Sequence, residues 1–353
     1  MASFAEQVFT ALAEVTEVDR LGSLYEPAES QHIKEVLSTL ISCLAYRRKA
    51  KALIVDLAGR SLAEYWSVVA WITIPGRRPP VHVIVHDAPS LVGNEFLFAV
   101  LDQRGGRRLA KALKDQFGDR ISRSVLERCA RVICLSDMGA DALVERYGIP
   151  RPSVVPHPAR PPIQRLESPG GPTILFCPGH TALGPVSTVL RSVAALPLSL
   201  RGSILVKVGS IAAADGAAIV SLGKELGVMV EVIGQVDEDT LWSLFAEADV
   251  VCRLFDWIGG RSGNWAAVSG VLFQAAAAGA AICSNDSGGA RAEFERRRAA
   301  LFVQSEEELR STLSRLLVDP ALRQELRRNA QALAKDHSSD KLVATLLEPT
   351  SIL

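Results

Sequence analysis

Apolar residues recur along this chain with two alternating periods. From Ser3 to Val15 they fall at Phe4, Val8, Phe9, Leu12 and Ala13, behind a serine that can cap a helix. That spacing predicts an amphipathic helix. His32–Tyr46 repeats it through Ile33, Val36, Leu37, Leu40, Ile41 and Leu44. The run Ala52–Asp56 is short and almost wholly apolar, which predicts a strand, and a further short strand is expected within Glu17–Leu24. Leu62–Ile72 predicts a helix and Val81–Val85 a strand that ends at His86 and Asp87. Helices follow over Leu109–Phe117 and Ile121–Cys129, a strand over Arg131–Leu135, a helix over Met138–Tyr147 and a strand over Ser153–Val155. Strands without polar alternation, separated by helices, predict a parallel sheet covered on both faces.

The rhythm breaks between 150 and 172, where eight of the 18 prolines fall, at 150, 152, 156, 158, 161, 162, 169 and 172. Proline fixes φ and removes a donor, so this stretch reads as a stiff interdomain linker. A second series then begins. Its strands are Thr173–Cys177, Ser203–Val208, Val228–Ile233, Val250–Leu254 and Ala280–Cys283. Its helices are Pro185–Leu196, Ala212–Leu226, Asp237–Ala248, the alanine-rich Ser269–Ala278 ended by Gly279, and the closing pair Glu306–Leu317 and Pro320–Ala334. The chain is thus read as an α/β protein of two Rossmann-like domains with parallel sheets. Residues 1–160 form the first, 161–335 the second, and the tail 336–353 packs back on the first. The crevice between the domains is the expected ligand site.

Composition narrows the function classes. Lys plus Arg number 39 and Asp plus Glu 39, so the formal charge is zero and nucleic acid is not an expected partner. No apolar run reaches the roughly 18 residues that span a bilayer, and the N-terminus lacks the basic and apolar regions of a signal peptide. The six cysteines form no C-x-x-C pair, and Cys134, Cys177, Cys252 and Cys283 lie in apolar runs. Buried free thiols in a reducing cytoplasm fit this pattern better than a zinc site does.

Ordered segments of the chain resemble the GT-B glycosyltransferases, most closely the retaining family 4 group. Arg131–Ile149 followed by Val154–Pro158 resembles the end of that family's N-terminal domain. Val232–Val236, Leu241–Val251, Leu272–Cys283 and Asp319–Ala330 resemble its C-terminal domain, in family order. The resemblance implies the GT-B fold and transfer of a sugar, with retention, from a nucleotide diphosphate sugar to a saccharide or lipid-linked acceptor. It implies no metal or other cofactor. A family member normally opens with a strand and a Gly-rich turn, whereas this chain opens in a helix, so either its true start lies upstream or its first strand is missing.

The donor diphosphate needs backbone N–H groups at a helix N-terminus and cationic side chains. Ser269–Gly270, just before the alanine-rich helix, fits the first need; an ordinary helix start is the alternative. The resemblance brings the turn at Gly179–His180 to the phosphates, although the family's usual Arg and Lys are absent there. Lys207, within a strand, is a substitute cation or an edge residue. Arg253, at a strand end, is a donor cation or half of a structural ion pair. The family places His86, and here His86–Asp87, against the transferred sugar; the alternative is a turn that caps a strand. His157 reads as structural.

One departure is large. Family members carry two carboxylates flanking the donor loop. Here the second position is Gln274 and the first falls at Ala266 or Ala267, and residues 257–285 contain no Asp or Glu. Gln274 still offers a hydrogen bond to a ribose hydroxyl, without charge. The alternative reading is therefore a catalytically silent GT-B protein that binds a ligand or partners an active transferase; a nucleotide-sugar epimerase is a third. Residues 104–124, with Arg104, Arg107, Arg108, Lys111, Lys114, Arg120 and Arg123, read either as a peripheral contact with the inner membrane face or as a solvated helix.

Overall fold

The structure is a computed structural model. It describes residues 4–19, 33–57, 62–76, 79–86, 88–89, 91, 118–163, 171–178, 183–209, 211, 213–255, 266, 268–286 and 288–348. The chain divides into two compact units. One comprises Ser3–His157, Gly263–Val268 and Ser339–Leu353; the other is built almost wholly from Pro158–Ser262 and Ser269–Ser338.

In the amino-terminal unit, helices α1 (Phe4–Ala13) and α2 (Ile33–Tyr46) precede β1 (Leu53–Leu57), α3 (Leu62–Thr73) and β2 (Val81–Val85). Then come α4 (Asp119–Arg128), β3 (Arg131–Cys134), α5 (Asp137–Tyr147) and β4 (Ser153–Val154). The four strands lie in the order β1-β2-β3-β4, all parallel. Central β2 is buried at every position, whereas β1 alternates. Tyr65, Val68 and Trp71 of α3 are fully enclosed against this sheet, and the Trp71 indole donates to Pro79 O at 3.1 Å. Ser136 caps α5 by accepting from Gly139 N, and Gly148 ends it at φ 62°, a left-handed conformation that favours glycine. The last helix, α14 (Ser339–Leu347), buries Leu342, Val343 and Leu346 and packs on α1, while Arg131 pairs with Glu348 at 3.1 Å. The strand expected within 17–24 is not formed at 17–19, and the rest of it lies outside the described residues. No strand edge takes up residues 17–19 there: β1 pairs with β2 and β4 with β3.

The second unit runs β5 (Thr173–Cys177), α6 (Leu183–Ala194), α7 (Leu198–Arg201), β6 (Ile204–Gly209), α8 (Ala213–Leu226) and β7 (Met229–Gly234). It continues with α9 (Glu238–Glu247), β8 (Val250–Arg253), α10 (Gly270–Ala277), β9 (Ala281–Ser284), α11 (Arg291–Arg296) and β10 (Leu301–Phe302), and closes with α12 (Glu306–Val318) and α13 (Pro320–Asp336). Its sheet is parallel, in the order β10-β9-β8-β5-β6-β7. Val206, Val208, Val250, Cys252, Val189 and Leu190 share one buried cluster between sheet and helices. The chain builds outward from β5 to β7, then returns to place β8 on the other flank of β5. That return makes the C-terminal ends of β5 and β8 the switch point of the sheet.

Close packing shows at Gly223, where α8 crosses β7. A Cβ there would meet Val230 Cγ2 at 2.5 Å and Val228 O at 3.2 Å. Overpacking costs about 1–3 kcal/mol, against about 1 kcal/mol regained in helix propensity. Gly223→Ala is therefore expected to lower unfolding free energy by about 1 kcal/mol net. A denaturant midpoint equal to that of the parent would show that Val230 and its strand yield without cost.

Candidate functional site

A doubly wound sheet offers its ligand site beyond the carboxyl ends of the strands at the switch point. In the second unit that place is reached by Pro178 after β5 and by Arg253, Leu254 and Phe255 at the end of β8. The half-buried Arg253 holds its guanidinium carbon 4.6 Å from the centre of the Phe255 ring. Helix α10 connects parallel β8 and β9, so it runs opposite to them and its N-terminus lies at the same edge. Its N-cap is Ser269, whose side chain makes no capping bond. The Gly270 N-terminus thus presents backbone N–H groups, and the helix dipole favours an anion there. One turn on, the half-buried Gln274 has an enclosed Oε1 that accepts no hydrogen bond.

Side chains finish the sheet where backbone pairing stops. The last β8–β9 register pair is Arg253 with Ser284. Ser284 Oγ donates to Arg253 O at 2.7 Å and accepts from Asp286 N at 3.1 Å. Asn285 Oδ1 accepts from Phe255 N at 2.7 Å, and Asn285 Nδ2 donates to Phe255 O at 2.9 Å. The fully buried Asp286 accepts from Gly288 N at 2.7 Å. Sequence reasoning did not single out this clip. Its signal was a run of short polar residues, Ser284-Asn-Asp286, straight after an apolar strand.

Lys207 has a different role from the one expected of it. Its Nζ lies 3.0 Å from Glu247 and 4.0 Å from Glu231, its register partner on β7. Lys207 alternates with Val206 and Val208, so it faces away from their cluster, and two carboxylates hold it as a structural ion pair. It is therefore not carried forward as a donor cation. Gly179, His180 and Asp87 lie outside the described residues.

In the amino-terminal unit His86 follows β2, and its backbone N–H donates to Leu57 O at 3.2 Å. Its Nδ1 lies 3.7 Å from Asp56 Oδ1 on the neighbouring strand. Phe4 meets the imidazole edge-on at 4.7 Å and His157 does so at 5.3 Å, with His157 itself buried. Glu64, in the first turn of α3, is pushed above the usual carboxylate range by burial, with a further push from the charge of Asp56. At 3.7 Å the Asp56 carboxylate and Nδ1 are neighbours and not a hydrogen-bonded pair. Asp56 was missed from sequence because it closes an apolar run, where an acidic residue gives no hint of its partner. Ala266, one of the two positions where the resembled family would carry a carboxylate, is buried in this unit's core.

The described cysteines are free thiols. Burial pushes Cys43 up to about 11 and Cys129 and Cys134 to about 12, which keeps them protonated and inert. Among the described residues no three metal-ligating side chains group together, and no helix is long and apolar enough to cross a membrane. Of the basic stretch, 104–117 lies outside the described residues; on α4, Arg123 pairs with Glu127 at 2.8 Å.

Residues 204–348, most of them in the second unit, match the family model described as glycosyl transferase-like. No curated protein sequence matches the chain. Among solved structures it is similar to sucrose-phosphate synthase from Thermosynechococcus elongatus, at 17% identity over 98% of this chain and 90% of that one, with a TM-score of 0.67. It is similar to HepE from Anabaena in complex with UDP, at 13% identity over 93% and 85% of the two chains, TM-score 0.61. It also resembles UDP-GlcNAc 2-epimerase from Neisseria meningitidis bound to UDP-GlcNAc, at 12% identity over 96% and 87%, TM-score 0.56. These likenesses establish the GT-B fold, with two α/β units each built on a parallel sheet.

Proposed function

We propose that the chain is a glycosyltransferase that moves a sugar from a nucleotide diphosphate sugar to a saccharide or lipid-linked acceptor, with retention. One observation carries the reading. The glycosyl transferase-like match falls on the unit whose switch point combines Arg253 with the N-terminus of α10. UDP in HepE, which shares the fold, supports the ligand class. In this assignment Arg253 and the N–H groups at Gly270 hold the diphosphate, the Ser269 hydroxyl adds a donor, and Gln274 Oε1 accepts from a ribose hydroxyl. Gly179 and His180 are assigned to the phosphates as well, with no metal assigned.

The absence of acidic residues from 257–285 suits a transfer that needs no protein nucleophile. The bond from the anomeric carbon to the diphosphate oxygen breaks, and the acceptor oxygen bonds the same face. The acceptor proton passes to the departing phosphate oxygen. His86 hydrogen-bonds a sugar hydroxyl, and Asp87 is assigned to the same sugar. The reading places the chain in the cytoplasm, with a lipid-linked acceptor met at the inner membrane face through 104–124.

Calorimetric titration with UDP- and GDP-sugars, paired with an assay of donor turnover, tests this. Binding with turnover is expected, and the anomeric proton coupling of the product should match that of the donor. Binding without turnover would favour the silent partner protein, and no binding would overturn the reading. His86→Ala is expected to lower kcat/KM about tenfold, the worth of one hydrogen bond to a polar ligand of about 1.4 kcal/mol.

A further inference from the structure

The clip at the end of β9 has a chemistry more specific than strand ending requires. Beyond the Arg253–Ser284 pair the two strands no longer exchange backbone bonds, yet Phe255 keeps both of its backbone groups bonded. Its N–H and its C=O are both taken by the single side-chain amide of Asn285, at 2.7 and 2.9 Å. A primary amide presents a donor and an acceptor side by side, as a peptide does, so Asn285 imitates one more rung of the ladder. A carboxylate there would accept only, and would turn an oxygen toward the Phe255 carbonyl. The residue pinned in this way carries the ring on which the Arg253 guanidinium rests, at 4.6 Å. Ser284 fixes the Arg253 carbonyl from the same strand end at 2.7 Å. The chain from 253 to 255 is thus held from the side by Ser284 and Asn285 at the end of β9.

We propose that Asn285 is a positioning residue for diphosphate recognition: by bridging the Phe255 backbone it fixes the ring that aims Arg253 at the phosphates of a nucleoside diphosphate. This rests on the assignment of Arg253 to the donor diphosphate. A preorganised arginine loses less freedom on binding than one whose ring support shifts. The contribution therefore belongs to the phosphate end of the ligand and not to its nucleoside end.

The test is calorimetric titration of UDP and of uridine, with GDP and guanosine in parallel, into the full chain. The variants are Asn285→Ala, Arg253→Ala and the double variant. Asn285→Ala is expected to weaken the diphosphates about tenfold, about 1.4 kcal/mol, and to leave the nucleosides unchanged. The double variant should bind no more weakly than Arg253→Ala alone, because the two act through one guanidinium. Asn285→Asp, which keeps one bond and loses the other, should not restore binding. Unchanged diphosphate affinity in Asn285→Ala overturns the inference. An equal loss for nucleoside and diphosphate does so too, as do additive effects in the double variant. If Asn285→Ala does not fold, Asn285→Ser, which keeps one polar bond, is measured instead with the same criteria. A parent chain that binds no nucleotide overturns the glycosyltransferase reading itself, and this inference with it. Every other adverse result overturns the inference alone.

Discussion

Arg253→Ala should weaken binding of nucleoside diphosphates about 100-fold, a loss of about 2.7 kcal/mol. Two physical terms support that size. Charge-assisted hydrogen bonds to phosphate are roughly twice as strong as neutral ones, and arginine makes them in pairs. Arg253 is also half-buried at the strand end, where its field is screened less than at an open surface. The helix N-terminus at Gly270 remains in the variant and keeps a residual affinity. Arg253→Lys should recover only part of the loss, because a point charge does not pair with two phosphate oxygens as a planar guanidinium does. Calorimetry at fixed salt decides it: a change in Kd below threefold would remove Arg253 from the donor site.

The second large effect falls on stability. Asp249, just before β8, accepts from Ile174 N at 2.9 Å through one oxygen and from Arg327 at 2.8 Å through the other. Arg327 also donates to Asp249 O at 3.1 Å. One carboxylate therefore ties the starts of β5 and β8 to helix α13. Removing one partner of a buried pair costs about 3–5 kcal/mol, because the other charge is left unpaired. Here the side chains are 20% and 17% exposed, and solvent relieves part of that cost. Asp249→Ala is expected to cost about 2–3 kcal/mol and to lower the Tm by about 5–10 °C. Thermal unfolding followed by circular dichroism measures it. An unchanged Tm would show that Arg327 finds water or another acceptor at no cost.

The two predictions concern opposite ends of one strand and differ in how far the sequence foretold them. Arg253 was visible as a cation closing an apolar run, a position that a sheet of this topology exposes to ligand. Asp249 was visible only as the residue before a strand, with no sign that it reaches α13. Lys207 shows the same limit from the other direction. A lysine within an apolar strand needs a counter-charge, and the sequence leaves open whether that charge is a ligand or a protein carboxylate. The neighbouring β7 and helix α9 supply that counter-charge through Glu231 and Glu247.

The sequence by itself determined the order of strands and helices and the parallel class of both sheets. Strands buried on two faces must be apolar throughout, and the helices that cover them must carry an apolar stripe, so both patterns are written locally. Only the tertiary structure decided which side chains meet. Asp56 faces His86 because β1 and β2 pair in parallel register. Asn285 reaches Phe255 from 30 residues away because β9 lies beside β8. Asp249 bonds Ile174 across 75 residues because β8 returns to the flank of β5. Strand order follows from how whole helices pack across the sheet, and no local period of the chain carries that information.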